Sequence, residues 1–189
     1  MKSAGLQEKN QLRWQMRQKG RELDAAYRQR SDRGIEERLY TLTEWRDAQT
    51  VLIYMSVGFE PQTRGIIREG LRRGKKMAVP RCLRGGIMEA RQILSLDGLA
   101  PDRFGIPAPA RSALLIGPAE LDLVLAPCAA ADPQGVRLGN GGGYYDRYLE
   151  KVNCPVVCLC RHKLLADVLP REKHDRLMDI VLTEEEAFS

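Results

Sequence analysis

The 189 residues suffice for one domain with a substantial core, and 43% hydrophobic and 29% charged residues are ordinary for a globular protein. No apolar stretch is long enough to span a bilayer, and the first ten residues lack the apolar core of a secretory signal. We therefore expect one domain over residues 1–189, located in the cytoplasm. The net charge of +5, concentrated in the first 84 residues, fits either nucleic acid or a smaller anionic ligand.

The N-terminal region carries a helical pattern from about residue 5 to residue 46. Apolar residues at Ile35, Leu39, Leu42 and Trp45 follow helical spacing, and Gly20 is expected to break the segment in two. A further helix is predicted from residue 64 to about Gly74 and a short one over 144–151.

Short apolar runs rich in β-forming residues predict buried strands at 50–56, 77–80, 121–127 and 154–160. Residues 85–117 are expected to hold one or two more strands and a proline-rich loop. Strands that alternate with helices predict an α/β fold in one domain. Its mostly parallel central sheet would lie between helices as a three-layer α/β/α structure, preceded by a basic N-terminal helical segment.

Five scattered cysteines do not form the spacing of a disulfide framework or a zinc site. We expect buried, reduced thiols at Cys82, Cys128, Cys154, Cys158 and Cys160. The two histidines, His162 and His174, also lack a ligand-like arrangement and are expected to be structural or at the surface.

The stretch "RLGNGGGYYDR", residues 137–147, contains four glycines and runs into the short predicted helix. Backbone N–H groups and the positive helix end favour a bound phosphate there, and Arg137 could contact the same anion. Neither a Walker pattern nor the Rossmann G-x-G-x-x-G pattern is present. The alternative is a glycine-rich turn that allows close packing of the helix.

Lys9, Arg13, Arg17 and Arg21 recur at every fourth residue and so lie along one helix face. Either a bound polyanion offsets their mutual repulsion, or the face is solvated. Solvation is the expectation for the outer pair, Arg17 and Arg21.

Acidic residues near these segments are candidates for metal or ligand binding. Asp146 could stabilise the helix start or bind Mg²⁺ beside phosphates. Asp175 or Asp179 could supply a second carboxylate. Glu60 follows the first predicted strand, where open parallel sheets bind ligands, although many such residues are simply exposed.

Several segments together resemble the 5-formyltetrahydrofolate cyclo-ligase family, also called methenyltetrahydrofolate synthetase. The most specific is "DPQGVRLGNGGGYYDRYL". In the same order as in the family come "KNQLRWQMR", "VLIYMSVGFEPQT", "GKKMAVPR", "FGIPAPA" and "LPREKHDRLMDIVLTEE". The resemblance covers nearly the whole chain.

The resemblance implies an enzyme that uses ATP and Mg²⁺ to convert 5-formyltetrahydrofolate to 5,10-methenyltetrahydrofolate, with release of ADP and phosphate. The formyl oxygen would be phosphorylated and N10 would then close the ring. Small-molecule substrates, no membrane, no nucleic-acid partner and a monomer are expected.

Matched positions imply the residues of each site. The ATP site would comprise Lys9, Arg13, Arg137, Gly139, Asn140, Gly141, Gly142, Gly143, Tyr144 and Tyr145. The folate site would comprise Met55, Glu60, Phe104 and Tyr144. The magnesium ligands would be Asp146 and Asp179, with Asp175 as the alternative to Asp179.

The sequence also departs from the family pattern. Asn140 stands where a tyrosine is usual, and Pro61 and Gln62 stand where Val-Asp is common. Two other functions therefore stay open. One is a domain with this fold that binds nucleic acid without catalysis, and the other is an ATP-dependent enzyme that acts on another pterin or acyl substrate.

Overall fold

The structure, a computed structural model, describes residues 4–172 and 175–189. The expectation for His174 lies outside these residues. The helices are α1 (Ala4–Glu22), α2 (Ala25–Thr41), α3 (Thr43–Asp47), α4 (Arg64–Arg72) and α5 (Tyr144–Leu149). In the described part of the chain, no helix is long and apolar enough to cross a membrane.

The strands form one large sheet and two small hairpins. The large sheet contains β1 (Thr50–Ile53), β2 (Lys76–Cys82), β3 (Met88–Ile93), β6 (Leu115–Ile116), β7 (Leu123–Ala126), β10 (Val156–Leu159), β11 (Ile180–Leu182) and β12 (Ala187–Phe188). The hairpins pair β4 (Ala100–Pro101) with β5 (Pro107–Ala108), and β8 (Ala130–Ala131) with β9 (Arg137–Leu138).

The large sheet has the order β12-β11-β10-β7-β1-β2-β3-β6. The strands from β11 to β2 in this order are mutually parallel. At the two edges, β12 pairs antiparallel with β11, β3 pairs antiparallel with β2, and β6 pairs antiparallel with β3. The predicted mostly parallel α/β sheet is therefore confirmed.

Both faces of the parallel strands are buried, because alternate residues enter two separate cores. In β1, Leu52 packs on the α5 side, whereas Val51 and Ile53 pack on the side of α2, α3 and α4. The predicted stripe Ile35, Leu39 and Trp45 lies in this second core. Helices therefore cover the sheet on both faces, which confirms the three-layer arrangement.

The predicted break at Gly20 is wrong, because α1 continues through this residue to Glu22. The break lies at Leu23 and Asp24, where the Asp24 carboxylate accepts a 2.7 Å hydrogen bond from the backbone N–H of Tyr27 and caps α2. Gly20 has a packing role instead. A Cβ at this position would lie 2.5–2.8 Å from three atoms of the Phe59 ring.

Strand predictions located the core strands but missed the C-terminal edge, formed by β11 and β12. Residues 85–117 hold the four strands β3 to β6 rather than the expected one or two. The first strand ends at Ile53 rather than at residue 56, and Tyr54 and Met55 continue as buried loop. All five cysteines are free, and Cys128, Cys158 and Cys160 are buried as expected, whereas Cys82 and Cys154 are only partly buried.

Chain order reverses at β1, since β2 lies on one side of it and β7 on the other. In open parallel sheets, ligands bind outside the carboxyl ends of the strands at such a reversal. The segments that leave β1 and β7 at this edge contain Glu60 and Pro127.

Candidate active site

A cavity of about 800 Å³ opens at the carboxyl ends of β1, β2 and β7. Its walls come from α1, the loop after β1, the end of β2, the segment around Phe104 and the glycine loop, defined here as residues 139–143. Many of the residues predicted from the sequence line it, namely Met55, Glu60, Phe104, Arg137, the glycine loop, Tyr144, Tyr145 and Asp146. The segment predicted to bind ATP and the segments predicted to bind the folate therefore face the same cavity.

The glycine loop is held in place through its carbonyl oxygens. Gly139 accepts a 2.8 Å hydrogen bond from Nε of Arg13, and Asn140 accepts a 3.1 Å bond from Nη2 of Arg17. Gly142 accepts a 2.8 Å bond from Arg147. Since three guanidinium groups bind one short loop, the basic face of α1 and the loop form a single structure.

Left-handed backbone explains two of the glycines. Gly141 has a φ of 94° and Gly143 a φ of 64°, and Gly143 is the residue before the first turn of α5. A side chain would be strained at both positions. The glycine-rich sequence is therefore required by the loop conformation itself.

Lys9 lies in an ion-pair cluster rather than on open surface. Its Nζ is 3.0 Å from Oε2 of Glu172 and 2.5 Å from Oδ2 of Asp175. Burial acts to lower the pKa of Lys9, but the two carboxylates outweigh it and the pKa is raised. Lys9 therefore stays protonated at neutral pH.

The outer pair of the basic face differs from the expectation of simple solvation. Arg17 and Arg21 are exposed, yet both line the cavity, and Arg17 also binds the glycine loop. The four-residue spacing with Arg13 was the sequence signal for these residues. It did not reveal which partner they face, because that partner is more than 100 residues away.

Arg137 and Asp146 form an ion pair below the glycine loop. The Arg137 side chain is 5% exposed, whereas that of Asp146 is 42% exposed. Nη1 of Arg137 also donates to the Pro127 carbonyl at 3.0 Å, and its guanidinium lies 5.6 Å from the centre of the Tyr145 ring. The cation is thus fixed by the protein, while its carboxylate partner remains open to a ligand.

The Tyr145 hydroxyl is buried and has no hydrogen-bond partner among the described residues. Burial raises the pKa of Tyr145 well above its usual value, so the hydroxyl keeps its proton. Buried polar groups are normally paired, and Tyr145 lines the cavity.

Glu60 is a buried acid at the base of the cavity, with 5% of its surface exposed. Its carboxylate accepts hydrogen bonds from the Val57 backbone N–H at 2.9 Å and from Nδ2 of Asn140 at 3.1 Å. Burial raises the pKa of Glu60 to about 7, and these two donors reduce the shift only in part. Through Asn140, the glycine loop and the Glu60 segment are in direct contact.

Aromatic rings form the outer wall of the cavity. The rings of Phe104 and Tyr144 meet edge to face with 5.6 Å between their centres, and Phe104 is 50% exposed. The Tyr144 hydroxyl donates a 3.0 Å hydrogen bond to the Leu83 carbonyl. This wall offers an apolar, planar surface to a flat ligand.

Asp179 does not lie at this site. The expectation that it binds Mg²⁺ together with Asp146 is therefore corrected. Asp179 lies directly before β11, where its Oδ2 accepts a 2.8 Å hydrogen bond from the Val156 backbone N–H at the start of β10. This is the amino edge of the sheet, opposite the cavity. Asp175, in contrast, forms an ion pair with Lys9. The negative charges of Asp175 and Asp146 both act to raise the pKa of Arg13, against the effect of burial.

The acidic side chains of the described residues can bind a metal ion here only together with oxygen atoms of a bound ligand. Residues 4–172 and 175–189 contain no group of three or more His, Cys, Asp or Glu side chains that could hold a metal ion. Mg²⁺ commonly binds through one or two carboxylates plus substrate phosphates. Asp146, with Asp175 near the same arginine, fits such a shared site.

These features define an α/β protein with a small-molecule cavity and an adjoining basic, glycine-rich anion site. The 5-formyltetrahydrofolate cyclo-ligase family model matches residues 6–184, and the chain belongs to this family. The Mycolicibacterium smegmatis 5-formyltetrahydrofolate cyclo-ligase is 33% identical over 184 residues, which is 93% of each chain. The mouse 5-formyltetrahydrofolate cyclo-ligase is 26% identical over 194 residues, covering 96% of both.

A solved structure supports the same assignment. The NMR structure of the Aquifex aeolicus 5,10-methenyltetrahydrofolate synthetase superposes with a TM-score of 0.86 at 27% identity. The match covers 95% of this chain and 91% of that chain. The chain therefore shares both the sequence pattern and the fold of this enzyme family.

Proposed function

We propose that this enzyme converts 5-formyltetrahydrofolate to 5,10-methenyltetrahydrofolate with ATP and Mg²⁺, releasing ADP and phosphate. The observation that carries the proposal is the position of the glycine loop. On one side it binds Arg13 and Arg17 of the basic helix, and on the other Asn140 binds Glu60 at the base of the cavity. One loop thus contacts both predicted substrate regions.

The basic side of the loop is the proposed binding region for the ATP phosphates. Arg13 and Arg137 are held close to the loop, and burial lowers the pKa of Arg13, as expected for a cation removed from water. Lys9 would exchange its carboxylate partners for phosphate oxygens. Guanidinium groups suit phosphates because two N–H groups can bind two oxygens at once.

Asp146 and Asp175 are the proposed magnesium ligands. When bound, the ion would neutralise developing charge on the phosphates. The assignment is tested by the Mg²⁺ concentration that gives half-maximal activity. Asp175→Asn should raise it severalfold, whereas Asp179→Asn should leave it unchanged, and the opposite result would restore Asp179 as the ligand.

The cavity is the proposed folate site. The Glu60 carboxylate would accept hydrogen bonds from the N–H edge of the pterin, with Met55 beside it and Phe104 and Tyr144 along the ring face. Pro61 and Gln62, which depart from the family pattern, are not among the residues that line the cavity. This observation favours the folate over another pterin or acyl substrate.

In the proposed reaction, ATP transfers its γ-phosphoryl group to the formyl oxygen, which breaks the bond to ADP. N10 of the folate then attacks the activated formyl carbon and loses its proton. The bond from that carbon to the phosphorylated oxygen breaks, phosphate leaves, and the methenyl bridge remains. Positioning and charge stabilisation carry such a transfer, so arginines and backbone groups can promote it without a protein nucleophile.

Nucleic-acid binding is a weaker explanation of the basic helix. Arg13 and Arg17 already bind the glycine loop, and Lys9 is buried between two carboxylates. These cations are therefore held around the glycine loop and the carboxylates of Glu172 and Asp175, where a small phosphate ligand fits better than an extended nucleic acid does.

The experiment follows the ultraviolet absorbance of the methenyl product after mixing enzyme, 5-formyltetrahydrofolate, ATP and Mg²⁺. Omission of each component in turn provides the controls. A signal that needs all of them supports the proposal. Calorimetric ATP binding without any product would retain the nucleotide site and contradict the folate assignment.

A further inference from the structure

Arg161 is a charged residue buried behind the cavity, with 1% of its surface exposed, just after the end of β10. Its guanidinium donates to three backbone carbonyls: Phe59 at 2.7 Å, Arg28 at 3.0 Å and Glu60 at 3.1 Å. It also forms a 2.8 Å ion pair with Oδ1 of Asp32. Four donor contacts thus satisfy a single buried cation.

These contacts converge on the short segment that carries Glu60. Arg161 binds the carbonyls of Phe59 and Glu60, while Asp32 accepts a 2.9 Å hydrogen bond from the Gln62 backbone N–H. The segment is therefore fixed at both ends to α2 and to the end of β10. Phe59 is further confined, because its ring packs against Gly20 of α1.

Arg161 itself does not line the cavity, and its guanidinium contacts the Glu60 backbone rather than the carboxylate. Its effect on a ligand must therefore pass through the position of Glu60. Only arginine has a planar fork of five N–H donors that can bind several acceptors in different directions, whereas lysine offers three donors from one atom. The site thus requires this residue type for geometry and not merely for charge.

We propose that Arg161 and Asp32 are positioning residues that set the orientation of the Glu60 carboxylate and so control affinity for the reduced folate. This inference rests on the proposed cyclo-ligase function. The pair is expected to affect ATP affinity much less, because neither residue contacts the glycine loop or the basic face of α1 in the described residues, and the two are linked only through the hydrogen bond from Asn140 to Glu60.

The test measures steady-state KM for 5-formyltetrahydrofolate and for ATP, together with thermal stability, in Arg161→Lys, Asp32→Ala and Asp32→Asn. Loss of charged hydrogen bonds to the Glu60 segment should raise the folate KM by about tenfold in Arg161→Lys, with the ATP KM changed by less than about twofold. Asp32→Ala should act in the same direction. Asp32→Asn retains an acceptor oxygen and should raise the folate KM less than Asp32→Ala does.

Arg176 provides a matched control. Its guanidinium also binds three backbone carbonyls, those of Leu149, Val152 and Cys154, and one aspartate, Asp179, but at the amino edge of the sheet. Arg176→Lys should lower thermal stability while the ratio of the two KM values stays that of the wild type. Arg161→Lys should change this ratio.

Each outcome decides between the two proposals. Wild-type turnover with an unchanged folate KM in Arg161→Lys would overturn the positioning role and leave the proposed function intact. An equal rise of the folate KM in Arg176→Lys would also overturn it, since any loss of stability would then suffice. A wild-type enzyme that forms no methenyl product and binds no 5-formyltetrahydrofolate in calorimetry would overturn both.

Discussion

The two edges of the parallel sheet contain similar residues that do different work. At the amino edge, Asp122 accepts hydrogen bonds from the backbone N–H groups of Gln49 and Thr50 at 3.0 and 2.7 Å, and Asp179 accepts one from Val156. At the carboxyl edge, Asp146 pairs with Arg137, and Glu60 binds the side chain of Asn140. At the amino edge, carboxylates thus accept hydrogen bonds from the backbone at the start of strands, whereas at the carboxyl edge they face the cavity.

The difference lies in what each carboxylate binds. Backbone N–H groups at the start of a strand are needed by the fold, so Asp122 and Asp179 cannot exchange them for a ligand without cost. The side-chain partners Arg137 and Asn140 both line the cavity, so they can share their donors with a bound ligand. Glu60 also accepts a bond from the Val57 backbone, and Asp179 also pairs with Arg176, so neither partner type is confined to one edge. Side-chain partners that line a cavity therefore distinguish the functional edge better than the presence of acidic residues does.

Removing one aspartate from each edge tests this functional difference most directly. Asp146→Ala should reduce kcat by about 10²–10³, because a group that stabilises charge at the phosphates is lost. Asp179→Ala should leave kcat within about twofold and cost about 1 kcal/mol of unfolding free energy, since one hydrogen bond to the backbone is lost. Methenyl formation and denaturant unfolding measure the two effects.

Arg137→Ala extends this test to the partner of Asp146. It should lower turnover as sharply, with the fold intact by circular dichroism. Wild-type turnover in Asp146→Ala or Arg137→Ala would remove that residue from the mechanism. A large loss of turnover in Asp179→Ala would show that the two edges are not separate in function.

The second prediction concerns pH, because Glu60 has a raised pKa of about 7 against an ordinary value of 4.5. Between these values the folded protein keeps a proton that the unfolded chain has lost. The free energy of unfolding should therefore fall as pH rises from about 4.5 to 7 and level off above 7, by at most about 3 kcal/mol.

Glu60→Gln is the control for this pH effect, because the amide does not titrate. Urea unfolding at pH 5 and pH 8 should show a smaller difference in the variant than in the wild type. An identical difference in both proteins would contradict the raised pKa of Glu60.

Local patterns predicted the elements that bury long apolar stretches. Apolar runs predicted the strands around Leu52, Val124 and Val157, and helical spacing predicted the stripe at Ile35 and Leu39. Both signals depend only on neighbours in sequence. The short strand β12 was missed, since two residues at an antiparallel edge carry no period.

The site was predicted in its residue types but not in its pairings. Asp175, 166 residues from Lys9, neutralises part of the predicted phosphate-binding charge. Asp179, four residues later, serves the opposite edge of the sheet. No property of a single sequence separates these two aspartates, because the separation arises only when the chain passes from the cavity side to the start of β11.

Gly20 illustrates the same limit and gives the third prediction. Gly20→Ala places a methyl group against the Phe59 ring, and overpacking of this kind should cost about 1–3 kcal/mol, reduced by the better helix propensity of alanine. Because Phe59 precedes Glu60, the folate KM should rise severalfold while the ATP KM stays unchanged. Thermal unfolding and the two KM values measure this.

Two variants sharpen the Gly20 test. Gln15→Ala, on the exposed part of α1, should change neither stability nor the folate KM by a measurable amount. Phe59→Leu combined with Gly20→Ala should recover part of the lost stability, because the smaller side chain leaves room for the methyl group. If the double variant is as unstable as the sum of the single variants, the contact with Phe59 is not the cause.

The smallest expected effect is at the outer aromatic wall. Phe104→Leu keeps an apolar side chain but loses the ring that would pack against the folate, and a ring contact of this kind is worth about 0.5–1.5 kcal/mol. Because Phe104 is half exposed, the lower end applies and the folate KM should rise about two- to threefold. Leu114→Ala, an exposed apolar residue outside the cavity, should leave the folate KM unchanged. A rise of the folate KM by more than tenfold in Phe104→Leu would make this wall, rather than Glu60, the main determinant of folate affinity. The carboxyl edge would then bind its ligand by ring packing more than by hydrogen bonds.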